Sequence, residues 1–234
     1  MNKDIKKFNL QFKNASPQEV ISFSLNKFKH KIAFASSFGL EDQVIIDMIA
    51  SIDKYAEIFT LDTGRLFPET YNLISETQKR YNIKIKIFFP DNEHVEKMVI
   101  EKGINLFYDN VENRRLCCNI RKVRQLERAL KGLDAWICGI RKEQSVSRED
   151  SQMFEWDDNN NLININPLVN WTWTQVWEYI KKHNVPYNPL HDKGYMSIGC
   201  QPCTRPVKQG EDIRSGRWWW EYYEHKECGL HSNE

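Results

Sequence analysis

The sequence predicts an α/β fold: a parallel sheet with helices on both faces. Three observations predict it. Up to residue 140, short apolar runs of strand period alternate with longer runs of helical period. Each strand-like run ends in a polar or glycine-containing segment. A helix between successive strands brings the chain back in the same direction, so the strands pair in parallel.

Residues 31–35 make the first strand, and residues 40–52 the first helix after it. Val44, Ile45, Met48, Ile49 and Ile52 share one side of that helix. Residues 58–61 form the second strand, closed by Asp62, Thr63 and Gly64. Pro68 and Glu69 open a helix through Tyr81, since proline is tolerated in a first turn. Ile83, Ile85, Ile87 and Phe89 then alternate with Lys84, Lys86 and Phe88, a strand period that ends at Pro90-Asp91-Asn92. Residue 93 onward is helical, a long helix spans 119–130, and residues 135–140 are a fourth strand.

The second half has weaker patterning. Residues 157–161 are a turn and residues 162–168 are partly extended. Thr172 and Gln175 have capping-box spacing before a helix. Trp173, Val176, Trp177 and Ile180 follow at helical spacing and read as core packing. Beyond Val185 the chain is rich in Pro, Gly, Cys and Arg, and is expected to be held by contacts other than a core of its own. The expected division is a helical extension (1–28), an α/β nucleotide-binding domain (29–190) and a C-terminal segment packed on it (191–234).

The 234 residues carry 33 Lys+Arg against 32 Asp+Glu, and 41% are hydrophobic, enough for a sizeable core. A net charge of +1 argues against an electrostatic nucleic-acid binder. No apolar run approaches the roughly 20 residues of a membrane span. The start of the chain lacks the apolar core of a secretory signal, so a cytoplasmic setting is expected, where thiols stay reduced. Six cysteines there suggest ligands or catalytic groups rather than disulfides.

Four polar segments follow strands and should share the sheet edge where ligands bind: residues 36–39, 62–65, 90–92 and 141–145. Ser36, Ser37, Phe38, Gly39, Leu40, Glu41 and Asp42 join a strand to a helix, a setting suited to an anion or to an ordinary capped turn. The stretch has neither the Gly-Lys-Ser/Thr ending of a P-loop nor the glycine spacing of a dinucleotide fold. Leu61 to Arg65 offers a carboxylate and an arginine, or a simple Asp-Gly turn. Arg141, Lys142 and Arg148 form either an oxyanion site or a solvated basic loop.

Cys117-Cys118 is a tandem pair and Cys200/Cys203 a CxxC. Together they read as a four-thiolate site. Zinc is the common occupant, but adjacent residues converge poorly on one tetrahedral ion. An iron–sulfur cubane gives each thiolate its own iron, which suits neighbours better. A thioredoxin-type CxxC would leave the tandem pair unexplained. Cys138, inside an apolar strand, reads as a core residue. Cys228, near His225, Lys226 and His231, is the candidate nucleophile, because nearby positive charge favours the thiolate; the alternative is an incidental tail cysteine.

Six stretches resemble the assimilatory sulfonucleotide reductases, in particular the iron–sulfur-containing adenylyl-sulfate (APS) reductases. They are SSFGLED (36–42), LDTGR (61–65), CCNIRK (117–122), GIRKEQSVSR (139–148), GCQPCTRP (199–206) and GRWWWEYYEHKECGLH (216–231). The resemblance spans residues 30–231, and both cysteine pairs place it with the APS-reducing branch. It implies a Rossmann-like fold of the adenine-nucleotide α-hydrolase type. It implies that Cys117, Cys118, Cys200 and Cys203 ligate a [4Fe–4S] cluster. Cys228 would attack the sulfur of APS and expel AMP, and thioredoxin or a glutaredoxin would then release sulfite. Ser36, Ser37, Phe38, Gly39, Glu41 and Asp42, with Leu61, Asp62, Thr63 and Gly64, would line the nucleotide site. Lys122, Arg141, Arg214 and Arg217 match the family's basic residues around the phosphosulfate, and Ile140 and His231 are counted with the substrate site. The resemblance leaves room for PAPS as a second substrate and for a homo-oligomer. Two competing readings are an ATP pyrophosphatase, which would want a Ser-Gly-Gly-x-Asp-Ser loop, and a zinc-stabilised nucleotide-binding module without activity.

Overall fold

The computed structural model describes residues 2–208 and 210–221. Among them, six strands form one sheet: β1 (Ile32–Ala35), β2 (Ile58–Leu61), β3 (Ile85–Phe88), β4 (Ala135–Ile137), β5 (Phe154–Asp157) and β6 (Leu162–Ile165). The order is β3-β2-β1-β4-β6-β5. Every pairing is parallel except that of β5 with β6. The expected parallel sheet therefore stands, with an added antiparallel edge strand. The β5–β6 hairpin turns where Asp157 accepts from the Asn160 backbone at 3.1 Å and Asn161 takes a positive φ of 55°. Asn tolerates that left-handed conformation better than most residues.

The helices are α1 (Asn2–Gln11), α2 (Pro17–Phe28), α3 (Leu40–Ile52), α4 (Pro68–Tyr81), α5 (Asn92–Lys102), α6 (Val111–Cys118), α7 (Arg124–Leu130) and α8 (Trp173–His183). Two expectations change. The helix expected at 119–130 is regular only as α7; Asn119–Val123 is a π-helical turn joining it to α6. The strand expected at 135–140 ends at Ile137, and Cys138, Gly139 and Ile140 turn out of the sheet.

Period-2 alternation divides the core. Ile32, Phe34, Ile137, Ile163 and Ile165 face α2, α3 and α8 in the larger cluster. Ala33, Trp136, Cys138 and Leu162 face Leu126, Ala129 and Leu130 of α7 on the opposite side. The first 28 residues join the larger cluster, with the Phe8 and Phe154 rings 5.4 Å apart. A third cluster forms away from the sheet. There Cys203 and Trp218 of the C-terminal segment pack with Met98, Leu106, Phe107, Ile120 and the tandem cysteines. Among the described residues no helix is long and apolar enough to cross a membrane.

Candidate active site

The loop after β1 closes on the first turn of α3. Asp42 accepts from the Ser37 backbone at 2.5 Å and from its hydroxyl at 2.7 Å, and Ser36 Oγ accepts from Phe38 N at 3.1 Å. Phe38 is fully buried and holds a φ of 61°, so this turn is fixed rather than open. Burial pushes the Asp42 carboxyl up to about 6, against the bonds from Ser37. Gly139 makes room for it, because a Cβ there would overlap Asp42 Oδ1. Beside it, Arg141 Nε donates to Glu41 Oε1 at 2.8 Å, and Arg141 Nη1 lies 3.3 Å from Glu143.

These groups wall a cavity of about 250 Å³ at the carboxyl ends of β1, β2 and β4. Ser36, Ser37, Gly39, Glu41 and Asp42 supply one side, and Leu61 and Ile140 supply apolar surface. Lys122, Arg141, Arg214 and Arg217 also reach the wall. The cavity is therefore cationic on one side and carboxylate-lined on another, which suits a polar ligand carrying an anionic group. Arg217 is held by packing: its guanidinium lies 4.7 Å from the Trp218 ring centroid and occupies the space where Gly199 lacks a side chain.

Four expected residues stand off that wall. Phe38 points into the core. Asp62 accepts from Gly64 N at 2.7 Å and from the Tyr71 hydroxyl at 2.9 Å. Thr63 turns toward the cysteines, with its Oγ1 3.2 Å from Cys200 Sγ. Gly64 supplies the positive φ of the turn, 70°. All four polar segments follow the carboxyl ends of parallel strands, as expected, but residues 90–92 do not line the cavity, and Asp91 caps α5. The sequence reading missed Trp173, which carries a wall as well as the core, along with His191 and residues 196–199. Trp173 was legible only as a core residue, because helical spacing describes one face. Residues 196–199 adjoin the CxxC, which was the available signal.

The four expected cysteine ligands come together. Cys117 and Cys118 from the end of α6, and Cys200 and Cys203 from the C-terminal segment, line one small cavity with Arg65, Arg114, Arg121 and Lys122. Among the described residues no three His, Cys, Asp or Glu side chains are grouped to hold a single ion. Burial pushes the Cys117 thiol up and the Cys203 thiol up to about 12. Such thiols are poor solvent-exposed nucleophiles and need cations or a metal to ionise. The loop after β2 fastens this site: Arg121 Nη1 donates to Thr63 O at 2.7 Å, and Gln201 N to Arg65 O at 2.8 Å. Lys122, on the π-helical turn, belongs to both cavities. Cys138 lies in the sheet core, where burial raises its thiol well above the usual range. Cys228 and His231 lie outside the described residues.

Comparison with known proteins agrees with this arrangement. The family described as "Phosphoadenosine phosphosulfate reductase domain" matches residues 31–206. The adenosine 5'-phosphosulfate reductase of Allochromatium vinosum is 49% identical over 203 residues, covering 87% of this chain and 79% of that protein. The protein of the same name from Neisseria meningitidis serogroup B is 51% identical over 199 residues, covering 85% and 81%. The phosphoadenylyl-sulfate (PAPS) reductase of Candida auris, solved as a phosphate complex, superposes with a TM-score of 0.77 at 32% identity, covering 88% of this chain and 98% of that one. Candida glabrata FMN adenylyltransferase, at 18% identity and a TM-score of 0.58, covering 98% of this chain and 77% of that one, shares the fold alone. The adenine-nucleotide α-hydrolase-like fold is thus borne out, and the chain belongs to the phosphoadenosine phosphosulfate reductase domain family.

Proposed function

We propose that this protein reduces adenosine 5'-phosphosulfate to sulfite and AMP with electrons from a dithiol. The observation that carries the proposal is the shared wall at Lys122, which faces a nucleotide-sized cationic cavity on one side and four cysteines on the other. The relatives at about half identity are named for APS, which favours APS over PAPS.

In this reading the adenosine and phosphosulfate occupy the larger cavity, with Lys122, Arg214 and Arg217 near the anionic groups. Arg141 is committed to Glu41 and acts chiefly by holding the loops of the site together. The Cys228 thiolate attacks the sulfur of APS. The bond from sulfur to the bridging oxygen breaks, and AMP leaves with the electron pair. The basic side chains stabilise the charge gathering on that phosphate. A donor thiolate then attacks Cys228 Sγ, sulfite leaves with the sulfur–sulfur electron pair, and a second donor thiol closes the donor disulfide. Thioredoxin or a glutaredoxin-like protein fits this role in a reducing cytoplasm. Cys228 is seven residues beyond Glu221. A chain spans at most about 3.3–3.6 Å per residue, which gives roughly 25 Å of reach. The tail starts close by, since Trp218 lines the cavity.

Cys117, Cys118, Cys200 and Cys203 would hold a [4Fe–4S] cluster. The donor set fits: four thiols line one cavity with four basic side chains around them. Such a cluster would link the C-terminal segment to α6 through its cysteines and would set its negative charge beside Lys122; the electrons come from the thiol donor.

The test is sulfite release from labelled APS with reduced thioredoxin, run beside Cys228→Ser and beside PAPS. APS turnover that depends on Cys228 and exceeds PAPS turnover supports the proposal. Sulfite release that persists in the variant overturns the nucleophile, and a preference for PAPS overturns the substrate.

A further inference from the structure

Glu221, the last residue described, ends in a buried ion pair. Arg114 Nε donates to its Oε1 at 3.0 Å and Arg114 Nη2 to its Oε2 at 2.8 Å. The two side chains are 1% and 4% exposed. This forked geometry is the most directional that a carboxylate makes. A buried pair is weak grounds for stability, because desolvation offsets much of the attraction, so its clearest effect is on geometry.

The location of the pair matters more than its strength. Arg114 lies one helical turn before Cys118 on α6 and lines the same small cavity as the four cysteines. It stacks 4.8 Å from the Trp218 ring centroid, the same ring that Arg217 covers. Trp218 N donates to Cys203 O at 3.1 Å, and Glu221 N to Trp218 O at 2.8 Å. Residues 218–221 are therefore fixed at once to the tandem cysteine helix, to the CxxC and to the substrate cavity.

We infer that the Arg114–Glu221 pair is a positioning device for the nucleophile: it anchors the tail carrying Cys228 onto the cysteine site. This rests on the reading of Cys228 as nucleophile. A tether fixed seven residues from the attacking sulfur raises its effective concentration at the substrate without touching the substrate. It also links the integrity of the cysteine site to the placement of the tail.

The experiment uses the full-length, iron-loaded protein with Glu221→Gln and Glu221→Asp. Steady-state kinetics with APS, AMP affinity, iron content and the rate of Cys228 alkylation by iodoacetamide are measured, the last by peptide mass spectrometry with and without AMP. Glu221→Gln is expected to lower kcat about tenfold or more with KM within about twofold, the split left when an interaction serves only the reacting state. AMP affinity and iron content stay at the wild-type level, AMP protects Cys228 from alkylation less well, and Glu221→Asp recovers part of kcat. Wild-type kcat and wild-type protection in Glu221→Gln overturn the inference. So does loss of iron or of AMP affinity in step with kcat, which would make the pair part of the fold alone. Should the Gln variant fail to accumulate, the Asp variant decides: lowered kcat at unchanged KM supports the anchor, and unchanged kcat overturns it. Activity surviving in Cys228→Ser instead removes the underlying reading, whereas a dead Cys228→Ser beside a fully active Glu221→Gln removes the anchor alone.

Discussion

Arg141 Nε and Glu41 Oε1 lie 2.8 Å apart, joining the loop after β4 to the first turn of α3 across the floor of the cavity. The guanidinium is almost wholly buried and also reaches the Trp171 carbonyl at 3.2 Å. It is a strut as much as a cation for substrate. Removing its carboxylate leaves the buried guanidinium only the half-exposed Glu143 carboxylate, 3.3 Å away, as counter-charge; loss of one partner costs about 3–5 kcal/mol in fully buried pairs. Glu41 keeps some contact with water, so Glu41→Ala should lose about 3 kcal/mol, near the lower end of that range. Urea unfolding checks the value, and an unchanged midpoint would remove the strut.

Asp42 makes stability depend on pH in a specific direction. Its folded pKa, about 6, lies above the roughly 3.9 of an unfolded Asp. Between those values the folded protein keeps a proton that the unfolded chain has released, so stability falls as pH rises from about 4 to about 6 and is flat beyond. Asp42→Asn still accepts from Ser37 but does not titrate. Relative to it, the wild type should lose about 2–3 kcal/mol across that window. Denaturant unfolding of both proteins at several pH values checks this, and a constant difference would contradict it.

Two glycines should behave in opposite ways. A Cβ on Gly199 meets the guanidinium end of the Arg217 side chain, whereas one on Gly216 meets the Arg205 backbone carbonyl. Gly199→Ala is therefore expected to change stability by less than about 1 kcal/mol while pushing Arg217 off the wall and raising KM for APS about tenfold. Gly216→Ala should instead lower the melting temperature. Thermal melts and kinetics on both variants decide; a Gly199→Ala enzyme with unaltered KM would remove Arg217 from the substrate site.

The cysteines divide by environment. Replacing Cys117, Cys118, Cys200 or Cys203 by Ala should each deplete iron and sulfide, because all four line one cavity. Cys138→Ala should leave both intact, since Cys138 packs with Leu126, Leu130 and Trp136. Iron and sulfide analysis after anaerobic purification checks this. A colourless protein loaded with zinc would contradict the cluster.

Much of this architecture is legible in the sequence where the signal is local. The runs over α3, β2 and α4 carry their own apolar period, α4 opens on Pro68, and the three end at Asp53, Asp62 and Asn82, so their bounds read directly. The edge strand β5 is short and alternates apolar with acidic residues, too weak a pattern beside the turn that follows. Helix α6 is harder still. Arg114 and Arg121 are buried by ion pairing and by a carbonyl, so the buried face of 111–123 mixes arginines with Cys117, Cys118 and Ile120 and apolar periodicity fails there. Asp62 shows the opposite limit. Its residue type suits a ligand, yet the turn and Tyr71 occupy its carboxylate. The convergence of Lys122, Arg214 and Arg217 spans more than ninety residues of sequence, and only the fold supplies it.

A covalent step at Cys228 is central to the proposed reaction, and the most direct measurement is a single turnover without a thiol donor. Full-length protein is mixed with APS, quenched and analysed by intact-mass and peptide mass spectrometry. A sulfonate on Cys228 is expected, formed with one equivalent of AMP, absent from Cys228→Ser and released as sulfite on adding reduced thioredoxin. AMP and sulfite formed with no adduct on Cys228, or formed equally by Cys228→Ser, would contradict it.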